Sequence, residues 1–516
     1  MNIFMIICDE LRADALGYAG NPVVKTPHMD SLSEDSVTFT NSYCNTPMCI
    51  PSRVSLATGR YAPSHGALDN LLKPFEDEVS FYSILKDHSY RTFNHGKWHT
   101  NVEPNKFGID HSDNGLGDLS IPEKYVSCFG VSDKGVRAAT EYKKNDGDIS
   151  LIIHGKRPSN KDDTLDTVVV NNYLADVDSI DPDGGPVFAR LSIMDPHTPY
   201  FPSEPYASMY DPEAMDIPDS FMHSLDDKPV LQRYFYKSRG FDKLTESDYR
   251  KSKSSYYGLV THVDDRIGRV IAHLKEKGLY DDSLIIFTSD HGTMMGEHGF
   301  VEKWGHMYEE VLKTPLLIKF PQQKHAGKKL SSFVESVDVM PTILDCLNIA
   351  IPTNVQGKSL LPYIEGTEEN HKEAIYAQYF CGSLQNEPAF ATRDKEWKLS
   401  SYPEGNKLED YLFMDHGLKM SDFFCSEEVY GELYDLKNDP NEMNNLFNDP
   451  NYEAVRNKYL TRLSNWKSSL GIVADTETKT SENNLGAYSF IQGTNMLRAQ
   501  EMFNKEGMKD TLKKKK

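Results

Sequence analysis

The chain has 516 residues, 39% of them hydrophobic and 26% charged, which is ordinary for a globular protein and too long for one hydrophobic core. Its 77 Asp and Glu residues outnumber its 56 Lys and Arg residues and give a formal net charge of −21. A surface this acidic argues against non-specific binding to nucleic acid or to an anionic membrane, so an anionic substrate needs a locally positive site.

The N-terminal sequence and the cysteines predict a reducing, cytoplasmic setting. No apolar run approaches the ~20 residues that a membrane-spanning helix needs. The apolar run over residues 3–8 lacks a preceding basic segment, so it predicts a strand rather than a signal peptide, with a trimmed leader as the alternative. Seven scattered cysteines without CxxC pairs fit neither a disulfide framework nor a zinc ribbon.

Apolar, β-rich runs alternate with helical patterns along the chain, which is typical of an α/β sheet. The predicted strands cover residues 2–8, 90–95, 186–194, 283–289 and 315–320. The predicted helices cover residues 51–58, 247–277 and 338–349. In the long helix, apolar residues repeat every three or four positions, and Gly278 follows its end.

After residue 365 the pattern changes to short strands separated by turns, followed by an amphipathic helix over about 452–470. We therefore expect a catalytic domain over residues 1–365 and a smaller α+β domain with an antiparallel sheet over 366–490. The polar segment 104–183 is predicted to be an insertion or lid with little core of its own. The lysine-rich end, residues 491–516, is predicted to be a tail.

Charged residues follow four of the predicted strands. In chain order they are Asp9 and Glu10, Lys97 and His99, His197, and Asp290 and His291. Ligands of open α/β sheets bind beyond the carboxyl ends of the strands, so these residues predict one shared crevice. Carboxylates with an imidazole suit a divalent cation such as Ca²⁺ or Mn²⁺, the alternative being aspartates that only cap turns.

The stretch CIPSRVSLATGRY, residues 49–61, places a thiol just before a helix that we expect to start at about Pro51. Free N–H groups at a helix N-terminus favour negative charge, and Arg53 could hold an oxyanion there. An unmodified Cys49 would have a lowered pKa and act as a thiolate nucleophile, the alternative being a small buried hydrophobe. Asn70 could also reach this site.

The motif CIPSR, followed by LATGR, resembles the signature of the type I sulfatases of the alkaline phosphatase superfamily. Further matching motifs cover most of the chain: DELR at 9–12, KTPHMDSL at 25–32, GKWH at 96–99, PHTPY at 196–200, TSDHG at 288–292, EKW at 302–304, DVMPTILD at 338–345 and ELYDLKNDPNEMNNL at 432–446. The resemblance implies an α/β, alkaline phosphatase-like fold, with a large mixed, mostly parallel sheet between helices and a smaller C-terminal α+β domain.

The resemblance also implies a cofactor and a modification. In this family a maturation enzyme oxidises the cysteine, here Cys49, to Cα-formylglycine, and one divalent metal, Ca²⁺ or alternatively Mn²⁺, binds beside it. The implied metal ligands are Asp9, Glu10, Asp290 and His291. Arg53 is implied to orient the formylglycine diol, and Lys97 and Lys303 are implied to bind the sulfate oxygens. His99 is the implied base, and His197 is the implied acid that protonates the leaving group.

Both ligand pairs depart from the commonest sulfatase pattern. Glu10 stands where Asp or Gln is more usual, and His291 stands where Asn is common. The pair Asp-His also occurs in the related phosphonate monoester hydrolases, which share the formylglycine. We therefore expect a sulfatase, with phosphonate monoester or phosphodiester hydrolysis as the alternative and a non-catalytic, metal-dependent anion binder as a third hypothesis.

The expected partners follow from this interpretation. They are a small-molecule or saccharide sulfate ester, such as a sulfated carbohydrate or an aryl sulfate, and a formylglycine-generating maturation enzyme. No nucleic-acid or membrane partner is expected, and an oligomer is compatible with the sequence.

Overall fold

The computed structural model describes residues 1–113, 154–157, 160–181, 184–381, 388–402 and 429–472. Its strands are β1 Ile3–Cys8, β2 Val37–Phe39, β3 Ser42–Tyr43, β4 Arg91–Gly96, β5 His111–Ser112, β6 Val187–Ile193, β7 Leu284–Ser289, β8 Met294–Met295, β9 Val301–Glu302, β10 Leu316–Lys319, β11 Lys329–Leu330, β12 Val334–Glu335, β13 Ile375–Tyr379, β14 Ala389–Arg393, β15 Trp397–Ser401 and β16 Gly431–Asp435. Its α-helices are α1 Pro27–Glu34, α2 Cys49–Thr58, α3 Ala62–His65, α4 Phe81–Asp87, α5 Leu165–Asp178, α6 Val230–Ser238, α7 Glu246–Glu276, α8 Glu309–Leu312, α9 Val339–Cys346, α10 Leu361–Glu365 and α11 Glu453–Ser469.

The described residues form a central sheet of eight strands, in the order β11-β2-β10-β7-β1-β6-β4-β5. Strands β7, β1, β6, β4 and β5 run parallel, and β10 runs antiparallel to β7 and β2. Every residue of β1, β6 and β7 is buried, because the sheet is covered on both faces. The sheet confirms the predicted α/β class, and all five predicted strands occur with ends shifted by at most one residue.

The long helix α7 confirms the helix predicted over 247–277. It begins at a capping box, in which Thr245 and Asp248 each accept the other's backbone N–H. Its buried side chains include Leu259, Val263 and Ile267, which face the core beside β1 and β6. The shorter helix predicted over 338–349 occurs as α9.

Two predictions about local structure are wrong. Helix α2 begins at Cys49, two residues before the predicted start at Pro51. Proline is tolerated anywhere in the first turn, since the first N–H groups have no acceptor within the helix, so Pro51 marks that turn and not its first residue. Gly59 ends α2 as predicted, in the left-handed conformation with φ of 64°.

The second wrong prediction concerns the segment 104–183. It contributes the core helix α5, which packs on β4 and β6 with Val169, Val170 and Tyr173 buried. Residues 114–153 of the predicted lid lie outside the described residues, as does the predicted tail 491–516.

Beyond residue 365, the described strands β13 to β16 form an antiparallel sheet in sequence order, as predicted. Helix α11 confirms the helix predicted over 452–470 and packs on β14 and β15. Its Trp466 stacks on Tyr376 with ring centroids 4.8 Å apart. The domain limits at 365 and 490 stay predictions. Nowhere in the described ranges does a helix have the length and apolar character needed to cross a membrane.

Candidate active site

The carboxyl ends of four parallel strands lie side by side at one edge of the sheet. Cys8 of β1 pairs with Ile193 of β6 and with Ser289 of β7, and Gly96 of β4 pairs with Ser192 of β6. The residues that follow these strands therefore meet in one crevice, as the sequence predicts.

A group of buried side chains that could hold a metal ion lies beyond β1 and β7. The ligand atoms of Asp9, Cys49, Asp290 and His291 lie within 4.8 Å of one another. His291 Nδ1 donates to the Gly292 carbonyl at 2.8 Å, which leaves Nε2 facing the group, 3.4 Å from Cys49 Sγ. Two carboxylates and an imidazole oriented in this way fit one divalent cation.

Glu10 belongs to a neighbouring group of ligand atoms, with Asp9 and His197. Its Oε1 lies 3.3 Å from His197 Nε2 and pairs with Lys303 Nζ. Its backbone N–H donates to Asp290 Oδ1 at 3.3 Å. Glu10 thus borders the metal-binding group through its backbone, while its carboxylate is held by a histidine and a lysine. Direct ligation by Glu10 stays a prediction.

Cys49 is buried in a positively charged environment at the first position of α2. Its Sγ lies 3.5 Å from Lys97 Nζ. Burial raises the pKa of the thiol, but Lys303, Lys97 and His291 outweigh burial and hold that pKa well below its ordinary value. Asn70 Oδ1 accepts the N–H of the next residue, Ile50, at 3.0 Å, so Asn70 does reach this helix end.

His99 lies next to the Cys49 thiol. Burial lowers the pKa of His99, although a hydrogen bond with Cys49 opposes this shift. Among the described residues, the buried Nδ1 of His99 has no hydrogen-bond partner. The lowered pKa favours the neutral imidazole, and one of its nitrogens carries no hydrogen bond.

The guanidinium of Arg53 is bound by the carboxylates of the site and by the strand ends beside them. Its Nε is 2.9 Å from Asp290 Oδ2, its Nη2 is 3.0 Å from Asp9 Oδ2, and its Nη1 donates to Ser192 Oγ at 2.7 Å and to the Lys97 carbonyl at 3.0 Å. One helical turn inside α2, the guanidinium meets two buried carboxylates, which require a counter-charge. Contacts of Arg53 with an oxyanion and with the diol of residue 49 stay predictions.

The three carboxylates of the site are matched by three side-chain cations. The ion pairs are Lys97 with Asp9, Lys303 with Glu10, and Arg53 with both Asp9 and Asp290. Without a bound ion these groups are formally neutral together, and a divalent cation would raise their sum to +2. The site is therefore able to attract an anion once the cation is bound.

Buried residues outside the predicted site hold the loop after β6, which carries His197. Asp166 of α5 accepts the N–H groups of Met194 and Asp195 at 2.9 Å and 2.8 Å. Arg266 of α7 donates to Asp195 Oδ2 at 2.8 Å. The available signal was an arginine within the apolar stripe of a predicted helix, since a buried charge requires partners.

Replacing Arg266 with alanine is expected to lower the free energy of unfolding by about 3 kcal/mol, because Asp166 and Asp195 stay buried after losing their shared cation. Denaturant unfolding of R266A and of the unsubstituted protein measures this difference. Arg269→Ala is the control on the same helix, because this exposed guanidinium bonds Asn171; it should cost less than about 1 kcal/mol. Equal losses in the two variants would contradict the prediction.

Comparison with known proteins places the chain in a family. A sequence model of the family described as Sulfatase matches residues 1–349, and one described as N-sulphoglucosamine sulphohydrolase, C-terminal, matches residues 296–417 and 410–469. The chain is 30% identical to the multifunctional alkaline phosphatase superfamily protein PehA of Trinickia caryophylli, over 91% of this chain and 95% of that protein. It is also 30% identical to an arylsulfatase of Clostridium perfringens, over 90% and 93% of the two chains.

A solved structure supports the same fold. The phosphonate monoester hydrolase SpPMH from Silicibacter pomeroyi superimposes with a TM-score of 0.72 at 26% identity, over 94% of this chain and 98% of that one. The alkaline phosphatase-like fold expected from the motifs is confirmed.

Proposed function

We propose that this chain, which belongs to the sulfatase family of sulfuric ester hydrolases, hydrolyses a sulfate monoester with residue 49 as the nucleophile. The ester is either an aryl sulfate or a sulfated carbohydrate. The observation that carries the proposal is the position of Cys49. Its Sγ lies within 4.8 Å of the ligand atoms of Asp9, Asp290 and His291, at the start of a helix and beside a lysine. A nucleophile in contact with a cation site can cleave a sulfate ester, because the cation both activates the nucleophile and stabilises the developing charge.

The unmodified thiol is the precursor of the nucleophile in this proposal. Oxidised to formylglycine and hydrated, residue 49 would supply one hydroxyl that attacks sulfur and a second hydroxyl whose deprotonation expels sulfate as the aldehyde reforms. A divalent cation on Asp9, Asp290 and His291 would supply a Lewis acid that lowers the pKa of the attacking hydroxyl. Lys97 stabilises negative charge at residue 49.

His197 is the proposed acid for the leaving oxygen. Burial lowers its pKa, but Glu10, 3.3 Å away, and Asp9 together outweigh burial and raise the pKa above its ordinary value, which favours the protonated imidazole. Its side chain is 22% exposed, which leaves it within reach of a substrate. His99, neutral and next to Cys49, is the proposed base that deprotonates the second hydroxyl of residue 49. Lys303 is the proposed contact to the sulfate oxygens.

The same site suits a second candidate activity, phosphonate monoester or phosphodiester hydrolysis. The pair Asp290–His291 and the similarity to SpPMH favour it. Sulfate monoesters and these esters of phosphorus both present one negative charge at neutral pH, so the cationic site accepts either.

A substrate panel tests the proposal directly. We expect kcat/KM for 4-nitrophenyl sulfate to exceed that for 4-nitrophenyl phenylphosphonate by at least about tenfold, a difference of about 1.4 kcal/mol in transition-state stabilisation. The protein should be co-expressed with a maturation enzyme, and mass spectrometry of the peptide carrying Cys49 should show the aldehyde. The reverse preference would establish the second candidate, and an unmodified thiol in protein from its native host would favour a non-catalytic anion binder.

A further inference from the structure

We propose that Glu302 is a positioning residue that orients His197 through Thr198, so that His197 can protonate the leaving group. This inference rests on the proposed function of His197. In the sequence, Glu302 is part of the EKW motif and has no predicted role. In the structure, its carboxylate contacts the loop that carries His197.

Glu302 lies at the end of the hairpin formed by β8 and β9, opposite Met294 and directly before Lys303. Its backbone adopts the left-handed conformation, with φ of 67°, which costs a residue with a side chain about 1 kcal/mol or more. Its side chain is 12% exposed. This backbone turns the Glu302 carboxylate towards the loop that carries His197.

Both carboxylate oxygens of Glu302 have partners. Oε1 accepts the Thr198 hydroxyl at 2.9 Å. Oε2 accepts the Trp304 indole N–H and lies 3.7 Å from Arg239 Nη1. The carboxylate therefore ties the hairpin that carries Lys303 to the loop that carries His197.

Thr198 transmits this contact to the imidazole. The Thr198 carbonyl accepts a hydrogen bond from His197 Nδ1, and the Thr198 N–H donates to Glu10 Oε2 at 3.5 Å. The hydrogen bond on Nδ1 sets the tautomer and the ring orientation, so that Nε2 faces Glu10 and Lys303. Without the contact to Glu302, Thr198 keeps only the weak bond to Glu10, so its carbonyl orients the imidazole less firmly.

A pair of esters that differ in leaving group separates this role from a general loss of structure. 4-Nitrophenolate leaves with little protonation, whereas unsubstituted phenolate is more basic and depends on a proton donor. We expect Glu302→Ala to lower kcat/KM for phenyl sulfate by at least about tenfold and for 4-nitrophenyl sulfate by less than about threefold. If phosphonates are the better substrates, the matching phenylphosphonate esters are used instead.

Two more variants test the route through Thr198. Thr198→Val removes the hydroxyl at nearly constant volume and should give the same leaving-group pattern. The double variant should lose no more than either single variant, since both break one contact. Glu302→Gln keeps an acceptor oxygen for Thr198 and should retain the phenyl ester rate within about threefold.

Glu297→Ala is the matched control, because Glu297 lies in the same hairpin with the same 12% exposure and bonds Arg12 instead. It should lower the rates of both esters by the same factor. Equal losses of both esters in E302A, or multiplied effects of E302A and T198V, would overturn the inference while leaving the proposed function standing. No turnover of any of these esters or of a sulfated carbohydrate by unsubstituted, aldehyde-bearing protein would overturn the proposed function and this inference with it.

Discussion

Cys49→Ala is expected to abolish turnover, with a fall in kcat/KM on the order of 10⁶-fold, the size of effect that removal of an enzyme's covalent nucleophile produces. The positive side chains of the site converge on the atom that residue 49 presents, and alanine offers nothing that can attack sulfur. The measurement is hydrolysis of 4-nitrophenyl sulfate by protein whose thermal unfolding matches that of the unsubstituted chain.

Cys49→Ser separates the first half of the reaction from the second. In a host without a maturation enzyme, the serine hydroxyl gives its proton to a base of the site as its oxygen bonds to sulfur. The ester O–S bond breaks, and the alcohol leaves with a proton from an acid of the site. Serine has no second hydroxyl that could expel the sulfate, so the covalent ester persists. We expect release of one equivalent of 4-nitrophenol per chain and a serine carrying the mass of one added SO₃.

Cys44 provides a matched control for both Cys49 variants. It is another fully buried thiol, donates to the Val311 carbonyl at 3.5 Å, and burial raises its pKa far above the ordinary value, in contrast to Cys49. Cys44→Ala should therefore keep its turnover. Retained activity in C49A, or an equal loss in C44A, would show that residue 49 is not the nucleophile.

The sheet was the most predictable part of the molecule, because its strands are buried on both faces. A run such as Ile3–Cys8 is apolar at every position, so both of its faces are buried. The polar residues on either side of the run mark the ends of the strand. Helix α5 was missed because Asn and Asp residues break its apolar stripe, and the neighbours that bury Val169 and Tyr173 are distant in sequence. Its place on β4 and β6 is set by tertiary packing.

In the site, the positions that strand direction sets were predictable, and the directions of long side chains were not. Residues directly after strands, such as Asp9 and Asp290, were placed correctly because strand direction alone brings them to one edge. The direction in which a long side chain points was not predictable. The sequence does not reveal that Arg53 contacts the carboxylates of Asp9 and Asp290, or that Glu302 contacts Thr198 across 104 positions of the chain.

Removing the divalent cation is expected to lower kcat/KM about a thousandfold, because the Lewis acid contributes several kcal/mol to the transition state. It should also weaken anion binding, since Lys97, Lys303 and Arg53 only balance the three carboxylates with which they are paired. The measurements are activity after EDTA treatment and after re-addition of Ca²⁺ or Mn²⁺. Inorganic sulfate should raise the melting temperature in the presence of the cation and not in its absence.

Two Asp→Asn variants establish which group of ligands holds the cation that matters for activity. His28, Asp264 and Asp265 also bring their ligand atoms within 4.8 Å of one another, without a cysteine. Asp290→Asn should remove the response to re-added Ca²⁺ or Mn²⁺, because one of the two carboxylates beside His291 loses its charge. Asp265→Asn should keep that response. The reverse pattern would place the functional cation at the second group, and EDTA-treated, metal-depleted protein with full activity would exclude a role for the cation at residue 49.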